Sequence, residues 1–123
     1  MAASILICDD DELVLDLIEY RLISKGYEII RAKDGEELLQ AASSRKPQLI
    51  ILDAIMPKLD GFEALKRLKA IPEVADIPVV MLTARKGERD IVSALENGAE
   101  DYLVKPFIPD ELITRVQKIL AKR

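Results

Sequence analysis

Histidine and tryptophan are absent from the 123 residues, and cysteine occurs once. Each absence closes a class of chemistry. Without histidine there is no Ser-His-Asp triad and no Cys-His pair, and most zinc sites are excluded. The chain also cannot act as a phosphohistidine donor. Acid and metal chemistry must therefore rest on carboxylates. A single cysteine forms no disulfide within the chain. Cys8 lies inside an apolar run and reads as a buried, inert thiol. Aromatics make up only 4% of the residues, so the core must be built from Leu, Ile, Val and Ala. A basic excess is lacking too. The net charge is −4, which argues against a nucleic-acid surface. No apolar run approaches transmembrane length, and no basic segment leads a long apolar stretch at the N-terminus. A soluble protein of the reducing cytoplasm is expected.

What is present is a regular alternation. The length favours one domain over residues 1–123. Short apolar runs at 4–8, 28–32, 48–53, 77–83 and 101–104 read as strands. The first, third and fourth are continuously apolar, as in a parallel sheet buried on both faces. The second, Glu28-Ile29-Ile30-Arg31-Ala32, is more polar and reads as an edge. Amphipathic stretches separate them. In the first, Val14, Leu17, Ile18 and Leu22 recur at helical spacing, Asp10 or Asp11 caps the start, and Gly26 marks the stop. Asp34 with Glu37 and Asp60 with Glu63 look like capping boxes. The second box precedes Phe62, Leu65 and Leu68. A fourth helix is expected over about Lys86 to Asn97, closed by Gly98. A fifth starts near Pro109 and carries Leu112, Val116, Ile119 and Leu120 on one side. The order (βα)5 implies an α/β fold: a doubly wound, five-stranded parallel sheet with right-handed crossovers. A strand order 2-1-3-4-5 suits the polar second strand.

Polar residues close these runs. Asp9-Asp10 follow Cys8, Asp53 follows Leu52, Thr83 follows Leu82, and Lys105 follows Val104. In a parallel sheet they gather at one edge, where open α/β sheets bind ligands. Asp53 stands before the turn Ala54-Ile55-Met56-Pro57-Lys58-Leu59-Asp60-Gly61 and can act as a nucleophile on phosphorus. Clustered carboxylates repel, and a hard dication such as Mg²⁺ relieves that repulsion. Thr83 can donate to a phosphoryl oxygen. Lys105 can pair with Asp53 and then stabilise phosphoryl charge. Asp11 and Glu12 read as helix-start residues. Glu100 and Asp101 read as solvated surface charge.

These motifs resemble those of response-regulator receiver domains, the CheY-like family of two-component signalling, along essentially the whole chain. The matching segments are Ile7-Cys8-Asp9-Asp10, Leu52-Asp53-Ala54-Ile55-Met56-Pro57 with Asp60-Gly61, Leu82-Thr83-Ala84, and Tyr102-Leu103-Val104-Lys105-Pro106-Phe107. The 2-1-3-4-5 order is the one that family is known for. The resemblance implies that Asp53 accepts a phosphoryl group from a histidine kinase or phosphotransfer protein. It implies a Mg²⁺ (or Mn²⁺) site made by Asp9, Asp10, Asp53 and the Ile55 backbone carbonyl. Thr83 and Lys105 would hold the phosphoryl oxygens, and Tyr102 would be the switch aromatic. Ile55 and Arg85 would tune the lifetime of the phosphoryl group. A cis Lys105–Pro106 bond and a homodimer face made by the fourth helix, fifth strand and fifth helix are further implications.

Two other readings compete. Asp9-Asp10-Asp11 contains the Asp-x-Asp pattern of haloacid-dehalogenase-like phosphatases, with Asp9 as nucleophile and Asp11 as acid. The short chain, the lack of a later acidic pair, and the unexplained Asp53 and Lys105-Pro106 weigh against it. A degenerate receiver used only for docking would not need the acid triad, Thr83 and Lys105 intact.

Overall fold

The computed structural model describes residues 3–56, 59–83 and 88–122. Ten elements alternate: β1 (Ser4–Cys8), α1 (Glu12–Ile23), β2 (Glu28–Ala32), α2 (Gly35–Arg45), β3 (Leu49–Asp53), α3 (Gly61–Ala70), β4 (Val79–Thr83), α4 (Glu88–Glu96), β5 (Asp101–Val104) and α5 (Pro109–Ala121). All strand pairs are parallel, in the order β2-β1-β3-β4-β5. The expected (βα)5 sheet and its strand order are therefore observed. β3 and β4 begin one and two residues later than expected. Pro78 has no N–H to donate to a ladder, which accounts for the later start of β4.

Side chains alternate across the sheet and build two apolar layers. On one face Leu6, Cys8, Ile50, Leu52, Val79 and Met81 pack against α2, α3 and Ala94 of α4. On the other, Ile5, Ile7, Leu49, Ile51, Val80, Leu82 and Leu103 pack against α1 and α5. Every residue of β3 and β4 is buried, as the continuous apolar runs require. Each fully buried Leu or Ile contributes about 1.5–3 kcal/mol through removal from water.

The helix starts follow the caps in the sequence. Asp11 accepts from the N–H groups of Leu13 and Val14, Asp34 from Glu37, and Asp60 from Phe62 and Glu63. The Asp34 box is offset by one residue, because the Glu37 carboxylate accepts from the N–H of Lys33. The Asp60 cap is one-sided: the Glu63 carboxylate turns to Arg67 instead.

The face of α1 departs from expectation. Leu15, Ile18 and Leu22 are buried, while Leu17 is exposed. Apolar residues occur nearly all round this helix, so more than one stripe satisfies the 3.6-residue period. α1 also ends at Ile23, and Gly26, at φ +92°, turns the chain toward β2 rather than stopping the helix itself. α4 is described from Glu88; the expected first two residues, Lys86 and Gly87, lie outside the described residues. Asp101 is not simply solvated: both of its carboxylate oxygens accept from Arg115 Nη1 at 2.8 Å.

Candidate functional site

The site is built where β1, β3, β4 and β5 end. The β1–β2 ladder runs one residue past β1, with the Asp9 N–H donating to the Ala32 carbonyl, so Asp9 is held by the sheet. Its side chain is buried and accepts from the Asp11 N–H at 2.9 Å. Asp10, the next residue, is exposed. Asp53 is the last residue of β3 and only 5% exposed. Thr83 ends β4 and is buried. The Lys105 N–H donates to the Thr83 carbonyl, which extends the β4–β5 pairing to the lysine.

Asp9, Asp10 and Asp53 each bring one carboxylate oxygen within 4.8 Å of the others. The Lys105 ammonium lies 2.8 Å from Asp9 Oδ2 and 3.2 Å from Asp53 Oδ1. The sequence anticipated the pairing with Asp53 but not the closer one with Asp9. Among the described residues, three carboxylates against one ammonium leave an excess of two negative charges. The donors are all oxygen, and the charge and donor type fit a hard divalent cation.

The electrostatics follow from burial. Burial, followed by the charge of Asp9, pushes the Asp53 carboxyl up to about 6; Lys105 and the Ile55 N–H oppose the rise. Burial alone would lower Lys105, but the hydrogen bond to Asp9 and the charges of Asp53 and Asp9 outweigh it and hold the lysine above its ordinary value. The Cys8 thiol is raised well beyond its usual range, by burial first and then by the carboxylates of Asp34, Asp9 and Asp53. It donates to the Asp34 carbonyl and touches Met56 Sδ at 3.3 Å. The inert thiol expected from the sequence fits this setting.

The loop after Asp53 is held by close backbone approach. A Cβ on Gly61 would lie 2.1 Å from the Asp53 carbonyl oxygen and 2.7 Å from Ala54 Cα. Its N–H donates to the Ala54 carbonyl. Gly35 has a related role, since a Cβ there would meet the Leu59 side chain at 2.7 Å. Asp-Gly before α3 signalled a turn in the sequence; nothing there signalled that α3 starts against the Asp53 backbone. Ile55 is half-exposed, and its backbone N–H bonds to the Asp53 carboxylate. Tyr102 is half-buried against the layer containing Met81 and Ala94. Met81 pairs with Tyr102 in the ladder, so Thr83, two residues further on, shares its face. Lys105–Pro106 is cis. Arg85 lies outside the described residues. Asp11, which the phosphatase reading needs as an acid, is occupied as the α1 cap.

The model of the response regulator receiver domain matches residues 5–117. The chain belongs to this family. The Bacillus subtilis alkaline phosphatase synthesis transcriptional regulatory protein PhoP is 46% identical to this receiver domain over 122 residues, which are 99% of this chain and 50% of that protein. The chain spans about half the length of the curated relatives it matches. A putative response regulator from Chloroflexus aurantiacus has a solved structure at TM-score 0.92 and 40% identity, with 98% of this chain and 99% of that chain covered. The receiver domain of a Pseudomonas aeruginosa sensor histidine kinase matches at TM-score 0.87 and 30% identity, over 96% of this chain and 97% of that one. That structure is described with a magnesium ion coordinated in its active-site cleft. The chain is thus a receiver domain of the two-component response regulators, a regulatory module. Among the described residues no helix is long and apolar enough to cross a membrane.

Proposed function

We propose that this receiver domain is a switch thrown by phosphorylation of Asp53. The donor is a phosphohistidine on a histidine kinase or phosphotransfer protein. The observation that carries the reading is the convergence of Asp9, Asp10 and Asp53 within 4.8 Å, with the Lys105 ammonium 3.2 Å from Asp53. Asp9, Asp10, Asp53 and the Ile55 carbonyl would hold Mg²⁺ or Mn²⁺. When bound, the cation neutralises charge between the carboxylates and the incoming phosphoryl oxygens.

The residues do the rest. A deprotonated Asp53 oxygen attacks phosphorus and forms the new P–O bond. The P–N bond breaks, its electron pair stays on the imidazole nitrogen, and that nitrogen takes up a proton. Lys105 stays charged, because its raised pKa keeps the proton on, and it stabilises the phosphoryl oxygens. The Thr83 hydroxyl turns toward the phosphoryl group. Tyr102, on the same sheet face, moves into the space released. This biases the surface of α4, β5 and α5 between two states. That surface exposes Val92 and Leu95 and is the face proposed for a homodimer or target protein. Ile55 hinders water and, with Arg85, tunes the lifetime of the aspartyl phosphate. Residues 1–123 act in this scheme as one cytoplasmic receiver unit.

Incubation with a small phosphodonor and Mg²⁺, followed by intact-mass measurement, tests the proposal. One phosphoryl group is expected, dependent on the cation and absent from Asp53→Asn. Continuous phosphodonor turnover that survives Asp53→Asn and is lost in Asp9→Asn supports a phosphatase instead. No modification at all supports a docking module.

A further inference from the structure

α4 is attached to the rest of the molecule unevenly. α1, α2, α3 and α5 each bury three or four residues. In residues 91–96 of α4, Ala94 alone is buried, and Val92, Leu95 and Glu96 are exposed. A stretch with so little buried apolar surface has little packing of its own to hold it. Its C-terminal end, by contrast, is fastened. The N–H groups of Asn97, Gly98 and Ala99 donate to the carbonyls of Ser93, Leu95 and Ala94. The Asn97 side chain donates to the Ser93 carbonyl as well. Ala99 is buried, and the Glu100 N–H donates to the Val79 carbonyl at the start of β4.

Lys69 of α3 lies across this end. Its ammonium donates to the carbonyls of Ala75 and Ile77, both at 2.9 Å. Its stem passes over Gly98, where a Cβ would lie 3.1 to 3.3 Å from Lys69 Cγ, Cε and Cδ. Gly98 has φ +101°, so the turn both requires a glycine and leaves room for the lysine stem. The two carbonyl bonds hold the stem in place, and the stem lies against Gly98 on one side of the turn. The other end of α3 is seated on the Asp53 backbone through Gly61. One helix thus touches the phosphorylation site at its start and the last turn of α4 at its end.

We propose that Lys69 is a positioning residue that makes the α4–β5 turn a fixed pivot. When the switch is thrown, the first turns of α4 move and residues 97–99 stay in place. The role of the pivot rests on the switch reading above; the restraint on the turn does not.

Hydrogen exchange on the full chain, with and without Mg²⁺ and beryllofluoride as a phosphoryl mimic, tests this. In the wild type, loading is expected to change exchange at residues 91–93 and to leave Asn97, Gly98 and Ala99 unchanged. In Lys69→Ala and Lys69→Met, the amides of Asn97, Gly98 and Ala99 are expected to exchange about ten-fold faster before loading, with β1 and β3 amides unchanged. Loading should then alter them too. Lys69→Arg, which keeps donors for the two carbonyls, is expected to restore wild-type exchange. The proposal is overturned by unchanged exchange at 97–99 in both Lys69→Ala and Lys69→Met, or by an equal rise in β1 and β3. Loading that alters 97–99 in the wild type as much as 91–93 also overturns it. A wild type with no response to beryllofluoride overturns the switch reading and the pivot role together, whereas the unloaded comparison bears on Lys69 alone.

Discussion

Asp53 carries a cost that follows from its position. Its carboxyl is raised to about 6 by burial and by Asp9. The folded state therefore binds more protons than the unfolded chain between about pH 4 and pH 6, and the contribution of Asp53 to stability falls as pH rises through that window. Asp53→Asn removes the ionisation. In urea unfolding without divalent cation, the stability of Asp53→Asn relative to wild type is expected to rise by roughly 1–3 kcal/mol between pH 4 and pH 7. A difference independent of pH would contradict the assignment. Ile55 is the second residue that can be isolated. It is 51% exposed, two residues after Asp53, and its backbone N–H bonds to the Asp53 carboxylate. Ile55→Asn is expected to shorten the lifetime of the aspartyl phosphate by several-fold, read as loss of labelled phosphoryl from the isolated protein. An unchanged rate would remove Ile55 from the account.

At the scale of elements, the caps and strand ends were legible because they depend on local chemistry. An aspartate two or three residues before a free N–H caps it whatever the rest of the chain does, as Asp11, Asp34 and Asp60 show. Continuous apolar runs identified β1, β3 and β4 because burial on both faces leaves no room for alternation. The inward stripe of α1 was not legible, since Leu13, Val14, Leu15, Leu17 and Ile18 offer several equivalent faces and only packing in the apolar layer shared with α5 selects Leu15. The Lys105–Asp9 contact was equally hidden: three carboxylates lie within reach, and the ladder extension at Asp9 decides which is nearest. One element end carries strain. Lys46 closes α2 at φ 45°, a conformation that costs a side chain roughly 1–2 kcal/mol. Lys46→Gly is expected to stabilise the fold by about 1 kcal/mol in thermal unfolding, net of the entropy glycine loses. Destabilisation would show that the Lys46 side chain holds more than a turn.

The whole molecule places its chemistry at one sheet edge, and α4, in which Ala94 alone is buried among residues 91–96, lies beside β5. The fold supplies the edge; the residues at the strand ends supply the charge imbalance. Binding of a dication to the folded state alone must then raise stability, by about 2.7 kcal/mol at a hundred-fold excess over the dissociation constant. Asp10 separates this increment from the fold itself, because its side chain is exposed. Asp10→Asn is expected to unfold like the wild type without Mg²⁺ and to lose most of the Mg²⁺-induced shift in Tm. An intact shift would exclude Asp10 from the cation site. The proposed switch comes down to one bond: a phosphoryl group, covalently held, on one carboxylate among three. Borohydride reduction of the phosphorylated protein, followed by peptide mapping, reads that bond directly, because an acyl phosphate is converted to an alcohol where it stands. Reduction confined to Asp53 is the predicted result. Reduction at Asp9, or at neither aspartate after phosphorylation, would contradict it.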